Sequence, residues 1–203
     1  MSDRDTVFAS IRSALAARNA PPSPHPDWDT AAILSRAAQA CSDLESLFVE
    51  KLQASAARLV RGWDELAALL RAENASGLGF ADPTLDAQHL LGTDFEIETT
   101  WDRSRVDAYA FGITRASLGI AESGSLMLKD ADTASRLGAL APWVHIAVLR
   151  RRDLVRSLSD ALAQLGEEPY TVWVTGPSKT GDVEGILIQG VHGPGIQVCC
   201  LVD

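Results

Sequence analysis

The spacing of apolar residues changes character near residue 76, and that change limits the folds open to this chain. Before it, apolar residues recur at helical intervals. After it they come in short runs closed by turn residues, and glycine becomes frequent. Runs of this kind read as strands at Gly77–Phe80, Phe95–Thr99, Val106–Ile113, Leu118–Lys129, Trp143–Leu149, Thr171–Thr175 and Gln197–Val202. A helical pattern at Asp153–Leu165 and a helix start near Asp182 separate the last three, which predicts a βαβαβ unit. Such units build parallel sheets with right-handed crossovers, and ligands gather outside the carboxyl ends of the strands. The expectation is an α/β fold: a mostly parallel sheet with flanking helices, preceded by an N-terminal helical segment. The loops after Leu149, Thr175 and Val202 would form its functional rim.

The N-terminal part reads as helical. Val7, Ile11 and Leu15 recur every four residues among alanines. Pro21-Pro22-Ser23-Pro24-His25-Pro26 then imposes an extended spacer, because each proline disfavours α geometry in the residue before it. A long helix from Asp29 to Val60 follows, with Ile33, Ala37, Leu44, Leu47, Phe48 and Leu52 as its stripe, and a short one over Asp64–Arg71. The predicted division is a helical segment over 1–75, including the spacer 21–26, and an α/β domain over 76–203.

Charge and cysteine content narrow the function classes. The chain has 203 residues and a formal net charge of −9, from 18 basic against 27 acidic side chains. That balance disfavours non-specific binding to nucleic acid or to an anionic membrane surface, both of which need clustered Lys and Arg. Cys41, Cys199 and Cys200 lack CxxC spacing, and adjacent residues on a strand point to opposite faces. No metal site and no iron–sulfur cluster built by this chain alone is expected. Met1–Ala20 carries scattered charges and no apolar core, and no run approaches the length of a membrane span. The expected location is the cytoplasm, with reduced thiols.

Three segments carry residues suited to chemistry. In Ile120-Ala121-Glu122-Ser123-Gly124-Ser125-Leu126-Met127-Leu128, a two-residue turn at Ser123-Gly124 would set Glu122 opposite Ser125, on the face of Ile120 and Met127. A carboxylate on an apolar face has its pKa raised by desolvation, the setting of general acid–base or nucleophilic carboxylates. The alternative is a solvated glutamate at a hairpin tip. In Gly176-Pro177-Ser178-Lys179-Thr180-Gly181-Asp182-Val183-Glu184, a strand, a glycine turn and a helix start would present backbone N–H groups with the Ser178 and Thr180 hydroxyls and the Lys179 cation. That assembly suits phosphate or carboxylate. It matches neither GxxxxGK[ST] nor GxGxxG, and the alternative is a plain turn with acidic residues on a helix N-terminus. In Gly190-Val191-His192-Gly193-Pro194-Gly195, His192 is a proton carrier, a group that binds a substrate oxygen, or an exposed loop residue.

The candidate catalytic residues are Glu122 and His192. The candidate anion-binding residues are Ser123, Gly124, Arg136, Gly176, Ser178, Lys179, Thr180, Asp182 and Gly193. Arg115 and Arg136 are the remaining cations near the rim. His145, within an apolar strand, reads as a buried, hydrogen-bonded core histidine, and His25 and His89 attract no role.

Gly112-Ile113-Thr114-Arg115-Ala116, Ala121-Glu122-Ser123-Gly124-Ser125-Leu126, Pro142-Trp143-Val144-His145-Ile146-Ala147-Val148, the Gly176–Glu184 segment and Gly190-Val191-His192-Gly193-Pro194 occur in this order. In that order they resemble the lactate utilization protein C (LutC/YkgG) family of stand-alone LUD domains. The resemblance runs from about Gly112 to Asp203, with Val183 where the family favours Ile and Trp143 where a small or apolar residue is common. It implies a fold similar to the NagB/RpiA/CoA-transferase superfamily. It also implies a subunit role in oxidising L-lactate to pyruvate together with iron–sulfur partner proteins that would carry the clusters. It supplies no catalytic residues. Two readings therefore stand: such a subunit, able to hold a small carboxylate or phosphate and to self-associate, or an enzyme in its own right. In the second, Glu122-Ser123-Gly124 would be the counterpart of the nucleophilic Glu-x-Gly of CoA-transferase-like enzymes, acting on a small carboxylate or phosphorylated substrate.

Overall fold

A computed structural model describes residues 3–16, 41–75, 77–167, 170–181 and 186–203. The chain forms two compact units, Met1–Ile33 and Leu34–Asp203. The first unit is described through α1 (Asp3–Ala16), where Val7, Phe8, Ile11 and Leu15 are exposed. The proline spacer 21–26 and residues 29–40 of the predicted long helix lie outside the described residues.

The second unit begins with α2 (Leu44–Ala54), capped by the Asp43 side chain on the amides of Glu45 and Ser46. Here the expected helix to Val60 is corrected. Helix α2 stops at Ser55 because Ala56 turns left-handed at φ 68° and Ala57 N–H reaches back to Leu52 O at 3.2 Å. This is a Schellman-type stop with alanine where glycine is usual, so the sequence carried no stop signal. Strand β1 (Arg58–Arg61) follows, then α3 (Gly62–Ala72). Because β1 pairs with the last strand of the chain, residues 44–75 belong to the α/β body and the boundary expected at 75/76 falls inside it.

The main sheet has six strands in the order β1-β12-β7-β4-β2-β3, all parallel. Its remaining members are β2 (Leu78–Ala81), β3 (Glu96–Glu98), β4 (Tyr109–Arg115), β7 (Val144–Arg150) and β12 (Ile196–Val202). Both faces are covered, which explains the near-continuous apolar runs. On one face Val60, Phe111, Ile113, Val144, Ile146, Val148, Val198 and Cys200 pack with Leu66, Ala67 and Leu70 of α3 and with Ala87 and Leu91 of α4 (Ala87–Leu91). On the other, Ala147, Leu149, Cys199 and Leu201 meet Leu47, Phe48 and Leu52 of α2, Ala139 of α5 (Arg136–Leu140) and a second sheet.

That second sheet has the order β8-β5-β6-β9, from β5 (Leu118–Ile120), β6 (Ser125–Lys129), β8 (Leu154–Val155) and β9 (Thr171–Val174). Leu126 and Leu128 face the main sheet, while Leu118, Ile120 and Met127 pack on Ala161 of α6 (Leu158–Ala163). Strand β9 pairs antiparallel with β6, so the expected βαβαβ unit is corrected: β7 and β12 are neighbours and Thr171–Val174 leaves their sheet. The helix expected over Asp153–Leu165 shortens to α6. Its start is set by a capping box in which Ser157 and Asp160 bond reciprocally. Strand β10 (Lys179–Gly181) pairs antiparallel with β11 (Leu187–Gln189). Asp182 and the helix start expected there lie outside the described residues.

Candidate functional site

The three sequence segments do gather, at the amino end of the parallel strands. The turn between β5 and β6 spans Ala121–Gly124, since Ile120 pairs with Ser125 and Gly124 N–H bonds Ile120 O at 2.9 Å. The two-residue turn expected at Ser123-Gly124 is thus a four-residue one, and Glu122 lies in the loop rather than opposite Ser125. Gly124 has φ +67°, and a Cβ there would collide with the Leu52 amide near the end of α2. Gly176, at φ +74°, abuts Ser55 O in the same way. Between them runs a chain of hydroxyls: Ser123 Oγ donates to Ser125 Oγ at 2.8 Å, and Ser125 Oγ lies 2.6 Å from Thr175 Oγ1. Lys179 Nζ donates to Ser55 O at 3.0 Å. Ser178 ties in the histidine loop, its N–H bonding Pro194 O at 2.8 Å and its carbonyl accepting from Gly190 N–H at 2.9 Å, with Gly193 lying against its side chain. The loop folds over the Trp143 indole through Gly190 and Gly195.

Gathering does not make these side chains converge. Glu122 Oε1 accepts from Leu158 N–H at 2.7 Å, so its carboxylate caps α6. The Lys179 ammonium is held by a carbonyl at the end of α2, Thr180 pairs within the β10–β11 ribbon, and the His192 imidazole is exposed. Arg136 lies elsewhere. It bonds Asp130 at 3.1 Å, stacks on Tyr170 at 4.6 Å, and lines a cleft of about 410 Å³ with Trp101, Arg103 and Ser135.

The opposite end of the sheet has the geometry expected of a ligand site. After β2 the chain crosses to the α3/α4 face, and after β4 it crosses to the second-sheet face. Adjacent β2 and β4 therefore form the topological switch point, where the diverging connections leave a crevice. Buried Asp82, just past β2, braces the crevice. It accepts from Thr84 N–H at 2.9 Å, from Thr84 Oγ1 at 2.6 Å and from Ala134 N–H at 3.0 Å, while Thr133 Oγ1 donates to Arg115 O at 2.9 Å.

Beside this brace lies a cleft of about 260 Å³. It is lined by Trp63, Thr84, Leu85 and Leu90 on one side and by Arg115, Arg150, Val202 and the acidic Asp203 at the strand ends. Arg115 pairs in register with Val148, two residues before Arg150, which places the two Cα atoms about 8 Å apart on one face. Arg150 Nε donates to Asp153 at 2.8 Å. The half-buried Arg115 guanidinium has no hydrogen-bond or ion-pair partner among the described residues. A crevice that sets two arginines side by side against an indole and aliphatic walls can hold a small anion with an apolar body. Arg115 was visible from its place at a strand end. Trp63, Thr84 and Arg150 were not, because only the parallel pairing of distant strands brings them together.

A buried polar row crosses the middle of the sheet. Thr114 Oγ1 lies 2.8 Å from His145 Nε2, His145 Nδ1 lies 2.7 Å from Gln197 Oε1, and Gln197 Nε2 donates to Val198 O at 3.1 Å. The consistent assignment has Thr114 donating to Nε2 and Nδ1–H donating to Gln197. Burial pushes the His145 pKa down from 6.5 to about 4, partly offset by the Gln197 bond, so the ring is neutral. His145 is the buried core histidine expected of it. Burial likewise raises both the Cys199 and Cys200 thiols, which makes them inert. Among the described residues no cluster of His, Cys, Asp or Glu could hold a metal ion, and no helix is long and apolar enough to cross a membrane.

A parallel six-stranded sheet, a second sheet on one face and a crevice at the switch point define an α/β protein of doubly covered, mostly parallel type. Residues 84–202 match the LUD domain, and the chain belongs to that family. It is similar to the lactate utilization protein C of Oceanobacillus iheyensis, at 36% identity over 91 residues, covering 41% of this chain and 39% of the relative. It is also similar to the lactate utilization protein C of Deinococcus radiodurans, at 32% over 87 residues, covering 40% and 41%. The aligned stretch thus spans about two-fifths of these relatives. The crystal structure of a DUF162 family protein from Deinococcus radiodurans shares the fold, with a TM-score of 0.60 at 18% identity over 79% of this chain and 96% of that one.

Proposed function

We propose that this chain is a LUD-domain component of a lactate utilization system, supporting the oxidation of L-lactate to pyruvate together with iron–sulfur partner proteins in the cytoplasm. The observation that carries the reading is the 36% identity to a lactate utilization protein C over a stretch of 91 residues. The strand-end cleft with its arginines supports it, since lactate and pyruvate are small carboxylates. The redox centres would belong to the partners. A subunit role is preferred to a Glu122 nucleophile because the Glu122 carboxylate is engaged by the first amide of α6.

The test is genetic and biochemical. Deleting the gene should abolish growth on L-lactate while sparing growth on glucose, and the tagged chain expressed in its own organism should co-purify with proteins containing iron and acid-labile sulfide. Undiminished growth of the deletion strain on L-lactate would overturn the proposal. Complementation by the Glu122→Gln variant is expected to succeed; its failure with a stably folded protein would favour the nucleophile.

A further inference from the structure

We propose that the cleft of Trp63, Thr84, Arg115 and Arg150 is a binding site for a short-chain monocarboxylate, its carboxylate held by Arg115 and Arg150 and its carbon body on Trp63 and the aliphatic wall. The naming of the acid rests on the lactate utilization reading; the site itself rests on the cleft.

Three observations carry it. The first is charge. In a chain with net charge −9, two arginines stand on one face at the ends of neighbouring strands. The acidic residue of the lining, Asp203, bonds Arg151 at 2.9 Å rather than either of them. Asp153 accepts from Arg150 Nε, whereas the Arg115 guanidinium is half-buried with no partner among the described residues. A partly desolvated guanidinium beside another cation calls for an anion, and its planar fork matches a carboxylate. The second is the wall. Trp63, Leu85, Leu90, Val148 and Val202 make much of the lining apolar, which suits a ligand with a hydrocarbon part better than one ringed by oxygens. The third is size and the remaining polar group. About 260 Å³ admits an acid of a few carbons but not a nucleotide. Thr84 Oγ1 spends its proton on Asp82, so its lone pairs are left to accept from a hydroxyl on the acid.

Isothermal titration of the full-length chain with L-lactate, pyruvate and inorganic phosphate tests the site. Saturable binding of L-lactate or pyruvate is expected, with phosphate weaker. The Arg115→Gln variant should weaken acid binding at least tenfold. Its unfolding midpoint without ligand should not fall, because the change relieves repulsion and removes no hydrogen bond or ion pair among the described residues; a structural arginine would show the opposite. Leu90 is 42% exposed, so Leu90→Trp should block the cleft without disturbing the core. Failure of both acids to bind the folded wild-type chain overturns the proposal, as does unchanged affinity in Arg115→Gln or phosphate binding as tight as the acids. Acid binding in a chain whose deletion spares growth on lactate would refute the lactate utilization reading and leave the site standing.

Discussion

At His145 three adjacent strands place polar side chains on one face of the main sheet, and the fully buried imidazole is satisfied on both nitrogens. A neutral ring buried in this way must take up a proton when the chain unfolds in acid. Its folded pKa of about 4 lies below the unfolded value of 6.5. The unfolded chain therefore binds more protons between these values, and stability is complete above pH 6.5 and declines as pH falls toward 4. The decline amounts to roughly 3 kcal/mol for this group. Chemical denaturation across that range should show it, and His145→Gln should have a flatter acid limb than the wild type. Glu122 is the other residue whose role its surroundings decide. Replacing it with alanine removes the acceptor for Leu158 N–H and is expected to cost about 1 kcal/mol in urea unfolding.

Among the elements, the hairpin of β5 and β6 shows what a close approach demands. Gly124 sits at positive φ with its missing Cβ directed at the backbone of α2, so neither a rotamer change nor a side-chain shift could relieve an added methyl group. Gly124→Ala should cost about 2–3 kcal/mol, measured by thermal or denaturant unfolding. The control is Gly166→Ala, equally left-handed at φ +66° with open space around it, which should show only the conformational part. The strands were legible at this scale because a parallel sheet covered on both faces writes itself as apolar runs. Strand β1 was not. Arg58-Leu59-Val60-Arg61 follows a helix that stops at alanine, and a four-residue strand resembles a helical turn until its partner β12 is known. Nor could periodicity tell that β9 joins the second sheet, because strand pairing is a property of two segments.

For the whole molecule, the sheet is closed by a strand drawn from the segment expected to be a separate helical part. A chain beginning at Leu34 should therefore unfold cooperatively, with a denaturant midpoint close to that of the full chain. A chain beginning at residue 77 loses β1 with Leu47, Phe48, Leu52, Leu66 and Leu70 from two core clusters, and should not reach a folded state by circular dichroism. The sequence by itself determined the α/β class, most strand positions, the burial of His145 and the family, because each is written in local spacing and in the order of short motifs. It also pointed to the three segments that meet at the amino end of the sheet. Only the tertiary structure decided that Glu122 caps a helix and that Lys179 is held by a main-chain carbonyl. It alone assembled the cleft at the other end, from Trp63, Thr84, Arg115 and Arg150. Those residues lie on four separate segments, and a parallel sheet aligns its strand ends only through pairings between residues far apart in the chain.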